Sequence, residues 1–160
     1  MFQVSPVATV HNARLKPEDD YWRGLPSRIV LADAFEPDAL WGMETFSHAE
    51  VVFLFDRVPP EKIRTGARHP RNRPDWPKVG IFAQRGKGRP NRLGVSRCRV
   101  IGVEGRTLHV TDLDAIDGTP VLDIKPWMDE FAPIGSTRQP AWSASLMDRY
   151  YLDTGDDPRT

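Results

Sequence analysis

A chain of 160 residues, 39% apolar and 28% charged, is large enough for one globular domain with a real core. It contains no apolar run of about 18 residues, which excludes a membrane-spanning helix, and its N-terminus MFQVSPVATVHNARLK lacks the apolar stretch of a signal peptide, so the cytoplasm is the expected compartment. One cysteine, Cys98, excludes an intrachain disulfide and a four-cysteine zinc site.

Formal net charge is zero, but the charges are unevenly spread. Between Arg57 and Arg99 lie 13 Lys/Arg and 2 Asp/Glu, leaving 9 basic and 20 acidic residues for the flanks. A basic middle of this kind is a candidate phosphate-binding surface, unless it folds back on the acidic flanks. The 15 prolines and 12 glycines favour short elements joined by turns, hence β-rich structure over a helical bundle.

In chain order, Ser27–Ala32 (SRIVLA) reads as a short strand. Pro37 opens an expected helix whose apolar face is Leu40, Met43 and Phe46. Ala49–Phe55 is a continuous apolar run, the pattern of a buried strand. Residues 59–77 hold five prolines and little apolar periodicity and read as a long loop. Val79–Ala83 reads as a strand running into a glycine-rich turn. Leu93–Val103 sets Arg97 and Arg99 on one face and Cys98 and Val100 on the other; Arg106–Leu113 alternates as well, and Glu104-Gly105 between them suits a hairpin turn. Val121–Ile124 is a further strand, and Ser143 is placed to cap a helix running to about Tyr150. Several short strands separated by turns predict a barrel or sandwich.

The sites that composition suggests are mostly weak. Arg85-Gly86-Lys87-Gly88-Arg89-Pro90-Asn91 looks like a phosphate loop, but no Lys-Ser/Thr pair closes it and its glycines do not fit the dinucleotide spacing. Asp112 to Gly118 resembles the start of a calcium loop, with the carboxylates out of step and no closing glutamate. His11, His48, His69 and His109 are far apart and form no HExxH motif, so no metal is expected.

Three segments taken together are more specific. Phe46-Ser47-His48 followed by the strand VVFLF is similar to the FSH signature of the TsaA-like family. Phe82-Ala83-Gln84-Arg85, followed by Arg89-Pro90-Asn91-x-Leu93-Gly94-x-Ser96, resembles that family's FATR…RPNPIGLS signature. The stretch Asp117-Gly118-Thr119-Pro120-Val121-Leu122-Asp123-Ile124-Lys125-Pro126 resembles its DGTPVLDIKP signature almost unchanged. The resemblance runs from about Val4 to Phe131, with Gly88 in place of the aromatic before RPN, Arg92 in place of the proline after it, and Asp56-Arg57 where the family usually places a histidine.

The polar tail ending TGDDPRT reads as disordered over 153–160. The resemblance implies a mostly β fold: a single compact β-barrel over residues 1–152 with short flanking helices, dimeric. It implies a homodimer that binds S-adenosylmethionine near the subunit interface and methylates N6 of threonylcarbamoyl-adenosine beside the tRNA anticodon. Carried onto matching positions, the cofactor contacts are Asp56, Arg57, Arg85, Val95, Ile116, Asp117, Gly118 and Thr119. Asn91 is the candidate to accept a hydrogen bond from the reacting amine; alternatively an aspartate, Asp117, takes its proton, or the proton leaves after transfer with no dedicated base. A methyltransferase of the same fold acting on a small molecule, or a non-catalytic S-adenosylmethionine-binding protein, is the alternative; the basic middle favours RNA and the zero net charge favours the alternative.

Overall fold

The computed structural model describes residues 1–159. Among these, eight strands form: β1 (Ala8–Asn12), β2 (Ser27–Leu31), β3 (His48–Leu54), β4 (Ala67–Arg68), β5 (Val79–Gly80), β6 (Leu93–Glu104), β7 (Thr107–Thr111) and β8 (Pro120–Pro126). Six close a barrel in the order β1-β2-β7-β6-β3-β8, every pairing antiparallel, while β4 and β5 form a separate two-stranded ribbon. Closure leaves the barrel without exposed sheet edges. The expected barrel is therefore found.

Alternation builds its wall. Along β3, Ala49, Val51 and Phe53 are buried, and Glu50, Val52 and Leu54 between them are not. Along β6, Gly94, Ser96 and Cys98 point inward, and Val95, Arg97 and Arg99 outward. Val10, Ile29, Leu108, Val110, Leu113 and Val121 complete the interior. Burying each such aliphatic side chain stabilises the fold by about 1.5–3 kcal/mol. Cys98 is part of this packing: burial pushes its thiol up to about 12, which keeps it protonated and unreactive.

The structure corrects several local expectations. β1 was not expected, although Ala8 and Val10 face in while Thr9 and His11 do not. The helix expected from Pro37 is two short 3-10 turns, Pro37–Leu40 and Met43–Thr45, separated by Gly42 at φ +92°. Leu40 and Met43 are nonetheless buried, so the apolar face survives the break. Val79–Ala83 divides into β5 and a 3-10 turn, Ile81–Ala83. The C-terminal helix α1 (Ala141–Met147) starts two residues before Ser143, whose hydroxyl donates to the Pro140 carbonyl at 2.8 Å instead of capping.

Residues 149–159 lie against the barrel. Trp22 N–H donates to the Tyr150 carbonyl at 2.9 Å and Thr154 N–H to the Arg23 carbonyl at 3.0 Å. Tyr150 and Tyr151 pack on Trp22, Leu25 and Ile116 as a second apolar cluster. Arg159 pairs with Glu18 at 2.8 Å. Over residues 153–159, where disorder was expected, the chain is thus held by specific bonds; Thr160 lies outside the described residues.

Candidate active site

Antiparallel pairing decides which loops meet. Phe53, near the end of β3, pairs with Gly94 at the start of β6 and with Val121 at the start of β8. The segment leaving β3 (Asp56-Arg57), the turn entering β6 (Pro90–Arg92) and the turn entering β8 (Ile116–Thr119) therefore share one end of the barrel. Asn12, at the end of β1, reaches the same place, and its N–H donates to Asp117 Oδ1 at 3.1 Å.

The Ile116–Thr119 turn is held from all sides. Asp117 N–H donates to the Arg14 carbonyl and Gly118 N–H to the Val10 carbonyl, both at 2.8 Å. The buried Thr119 hydroxyl donates to the Ile116 carbonyl at 2.7 Å. Arg57 donates from Nη2 to the Asp117 carbonyl at 2.9 Å and from Nη1 to the Leu15 carbonyl at 3.0 Å. Gly118 adopts φ +82°, a conformation glycine takes without strain, and a Cβ there would stand 3.2 Å from Arg57 Nη2. The turn so presents exposed backbone beside a guanidinium.

Asp56 is exposed, and its carbonyl accepts from Arg92 Nη1 at 3.5 Å, with the Val58 carbonyl at 3.0 Å from the same nitrogen. Asn91 sits at φ +61° and Arg92 at φ +53°, successive left-handed residues that swing the chain into β6. The Asn91 side chain is exposed and has no hydrogen-bond partner among the described residues. Arg85 donates from Nη2 to the Val95 carbonyl at 3.1 Å, and its other N–H groups carry no hydrogen bond among the described residues. Val95 and Leu93 expose 37% and 42% of their surface on the outer wall. The predicted residues thus gather as two hydrogen-bonded groups, Arg57 with the Ile116–Thr119 turn and Arg85 with Val95; among the described residues no hydrogen bond joins Arg85 or Asn91 to that turn.

Two features were read differently from sequence. The absence of a side chain at Gly88 serves the protein itself, because a Cβ there would come 2.7 Å from the Lys62 carbonyl oxygen. The basic middle is also partly neutralised: Arg71 pairs with Asp20, Arg73 with Asp75, and Lys87 with Asp19. His11, whose Nδ1 lies 3.8 Å from Asp117 Oδ1, and Asn12 were missed as neighbours of the site. The alternation Ala8, Val10 against Thr9, His11 was the available signal. Among the described residues no group of three His, Cys, Asp or Glu side chains could hold a metal ion.

A closed β-barrel that gathers three sequence-distant loops at one end, with backbone and guanidinium groups exposed there, defines a small barrel domain with a polar terminal site, distinct from a doubly wound nucleotide-binding sheet. The model of the tRNA-methyltransferase O N-terminal domain matches residues 13–132, and the chain belongs to that family; the resemblance carried by the three motifs is borne out. It is 35% identical over 103 residues to a tRNA (adenine(37)-N6)-methyltransferase of Escherichia coli, an alignment covering 62% of this chain and 43% of that protein. It is 30% identical over 131 residues to a Pyrococcus abyssi protein named "Probable S-adenosyl-L-methionine-binding protein", covering 79% of this chain and 68% of that one. A crystal structure of TrmO from Pseudomonas aeruginosa superposes with a TM-score of 0.72 at 27% identity, covering 90% of this chain and 62% of that chain. The chain's share of other relatives' length falls to 21%, for a mouse tRNA (adenine(37)-N6)-methyltransferase.

Proposed function

We propose that this chain is an S-adenosylmethionine-dependent methyltransferase acting in the cytoplasm on N6 of a modified adenosine beside the tRNA anticodon. The observation that carries the reading is the convergence of Asp56-Arg57, Pro90–Arg92 and Ile116–Thr119 at one barrel end in a member of this family. The activities named for the relatives support it.

The residues fit the donor. Gly118 is exposed and leaves its backbone open beside the Arg57 guanidinium that braces the turn. Asp56 offers an exposed carboxylate to hydroxyl or amine groups. Arg85 has N–H groups to spare for a carboxylate, which a planar guanidinium grips bidentately. Leu93 and Val95 supply apolar surface. The donor, when bound, supplies an activated methyl group; the protein's part is orientation and electrostatics.

On the acceptor side, the unpartnered amide of Asn91 takes a hydrogen bond from the amine and aims its lone pair. Asp117 takes up the released proton; its Oδ1 is held by Asn12 N–H, with His11 Nδ1 3.8 Å away. The outward face bearing Leu93 and Val95 is where a second copy of the chain completes the pocket, making the protein a homodimer. Donor calorimetry in the presence of chelator tests binding, and sedimentation at micromolar concentration tests the dimer. No heat at millimolar donor removes the reading, and a monomer that binds donor tightly removes the shared pocket.

A second reading, a small-molecule acceptor, is favoured by the internal pairing of Arg71, Arg73 and Lys87, which withdraws charge from the basic middle. Transfer to RNA against transfer to small amines separates the two.

A further inference from the structure

Beside the turn that holds Asp117, three side chains stand in a row across the barrel wall. Strand register places His11 of β1 opposite Arg28 of β2, and Arg28 opposite His109 of β7. Directly opposed residues on antiparallel neighbours hold their Cβ atoms about 5 Å apart. All three face outward, because the residues flanking them along the strands, Val10, Ile29, Leu108 and Val110, are buried.

A fixed positive charge in such a row is best matched by an anionic partner. The ends of the row are so matched: His11 Nδ1 lies 3.8 Å from Asp117 Oδ1, and His109 Nε2 lies 3.5 Å from Glu104 Oε2. The middle is not. The Arg28 side chain is exposed and has no hydrogen-bond or ion-pair partner among the described residues. The row lines an open groove of about 610 Å³ that reaches Asp117. One edge of this groove is apolar by construction. The register of β6 against β7 slips between Val100 and Gly102, so that Ile101 is bulged out and 60% exposed. A bulge re-aims a side chain in this way, and bulges concentrate near functional sites.

We infer that this groove is a phosphodiester subsite for RNA flanking the reacting nucleotide. Arg28 takes the phosphate with its planar fork. His11 and His109 donate from either side through the ring nitrogens that do not face Asp117 and Glu104, Nε2 of His11 and Nδ1 of His109. Ile101 carries the apolar face of the adjoining ribose or base. The inference rests on the RNA-methylating reading, and it places the polynucleotide on the β1-β2-β7 wall instead of on the ion-paired Arg71 and Arg73.

The test follows the His11 and His109 ring signals by NMR while the protein is titrated with an anticodon stem-loop RNA and, separately, with inorganic phosphate. RNA affinity is measured by fluorescence anisotropy across a salt series for the native protein and Arg28→Ala. RNA is expected to shift both rings. Arg28→Ala is expected to weaken RNA binding on the order of tenfold and to lower the salt slope by about one, the counterion released per phosphate contact, with donor affinity retained. Unchanged affinity and slope in Arg28→Ala, or rings that RNA leaves unmoved, overturn the subsite. Rings that respond to inorganic phosphate and not to RNA overturn its assignment to RNA. Methyl transfer measured on the same samples separates the two levels. Native protein that methylates RNA without moving the rings loses only the subsite. Rings that move, with Arg28-dependent affinity and no methylated nucleoside, keep the subsite and remove the methyltransferase reading.

Discussion

Arg57 donates from Nη2 to the main-chain carbonyl of Asp117 at 2.9 Å, tying the exit of β3 to the turn that opens β8. The same guanidinium reaches the Leu15 carbonyl through Nη1 at 3.0 Å, so one side chain fixes two loops. Arg57→Ala is expected to loosen the Ile116–Thr119 turn and weaken donor binding on the order of tenfold, about 1.4 kcal/mol. Arg57→Lys rescues little, because one ammonium cannot reproduce the fork that reaches both carbonyls. Donor calorimetry checks this; an Arg57→Ala variant with native donor affinity separates the turn from the donor site.

Asn91 has two possible duties, and its backbone separates them. At φ +61° it occupies a region that asparagine tolerates and alanine enters at a cost of about 1–2 kcal/mol. Asn91→Ala therefore loses both the turn and the amide, whereas Asn91→Gly loses only the amide. Asn91→Gly is expected to keep its Tm and donor affinity while single-turnover methyl transfer slows on the order of a hundredfold, the scale of a lost positioning contact. Native turnover in Asn91→Gly removes the residue from the chemistry.

The basic loop makes a different prediction from the one its composition suggests. Arg71 holds Asp20 through two hydrogen bonds, Nη2 to Oδ1 at 2.8 Å and Nη1 to Oδ2 at 3.2 Å. Arg71→Glu should lower Tm by a few degrees and leave RNA affinity nearly unchanged. The exchange Arg71→Glu with Asp20→Arg should restore Tm. Lost RNA affinity at unchanged Tm would return Arg71 to the RNA surface.

The tyrosines at the barrel end predict a weakness in alkali. Tyr150 O–H donates to Asp114 Oδ2, while Asp114 Oδ1 is buried without a partner. Burial, and then the Asp114 charge, push the ionisation of Tyr150 and Tyr151 well above the ordinary tyrosine value. Each pKa is raised by folding, so the stability linked to it is fully present below about pH 10 and is lost as pH rises further, at up to roughly 1.4 kcal/mol per pH unit per tyrosine. Thermal melts against pH should be flat into mild alkali and fall steeply above. Tyr150→Phe should be less stable at neutral pH by about 1–3 kcal/mol, since Asp114 loses its donor, yet decline less steeply in alkali. An equally steep decline places the sensitivity elsewhere.

Much of the barrel was legible because its strands alternate. Cys98 and Val100 against Arg97 and Arg99, and Leu108 and Val110 against His109 and Thr111, are patterns that only a two-residue period produces. The turn at Asp117-Gly118 was legible for a second reason, since it sits inside the DGTPVLDIKP motif. Less legible features depend on distant partners. β1 is only five residues long, and its partner β8 lies far along the chain, Ala8 pairing with Val121. Gly42 breaks a helix whose apolar spacing is sound. Arg71 looks like a free cation until Asp20 is brought to it across 51 positions. The row of His11, Arg28 and His109 exists only through strand register, so no local pattern announces it.

The central claim is methyl transfer to RNA, and the most direct measurement of it is nucleoside mass spectrometry. Purified protein is incubated with S-adenosylmethionine and tRNA carrying threonylcarbamoyl-adenosine, and the digested tRNA is analysed. The account predicts a product heavier by one methyl group on that nucleoside, formed only with donor present and reduced by Arg57→Ala and Asn91→Gly. A protein that binds donor normally and leaves every tRNA nucleoside unmethylated contradicts it.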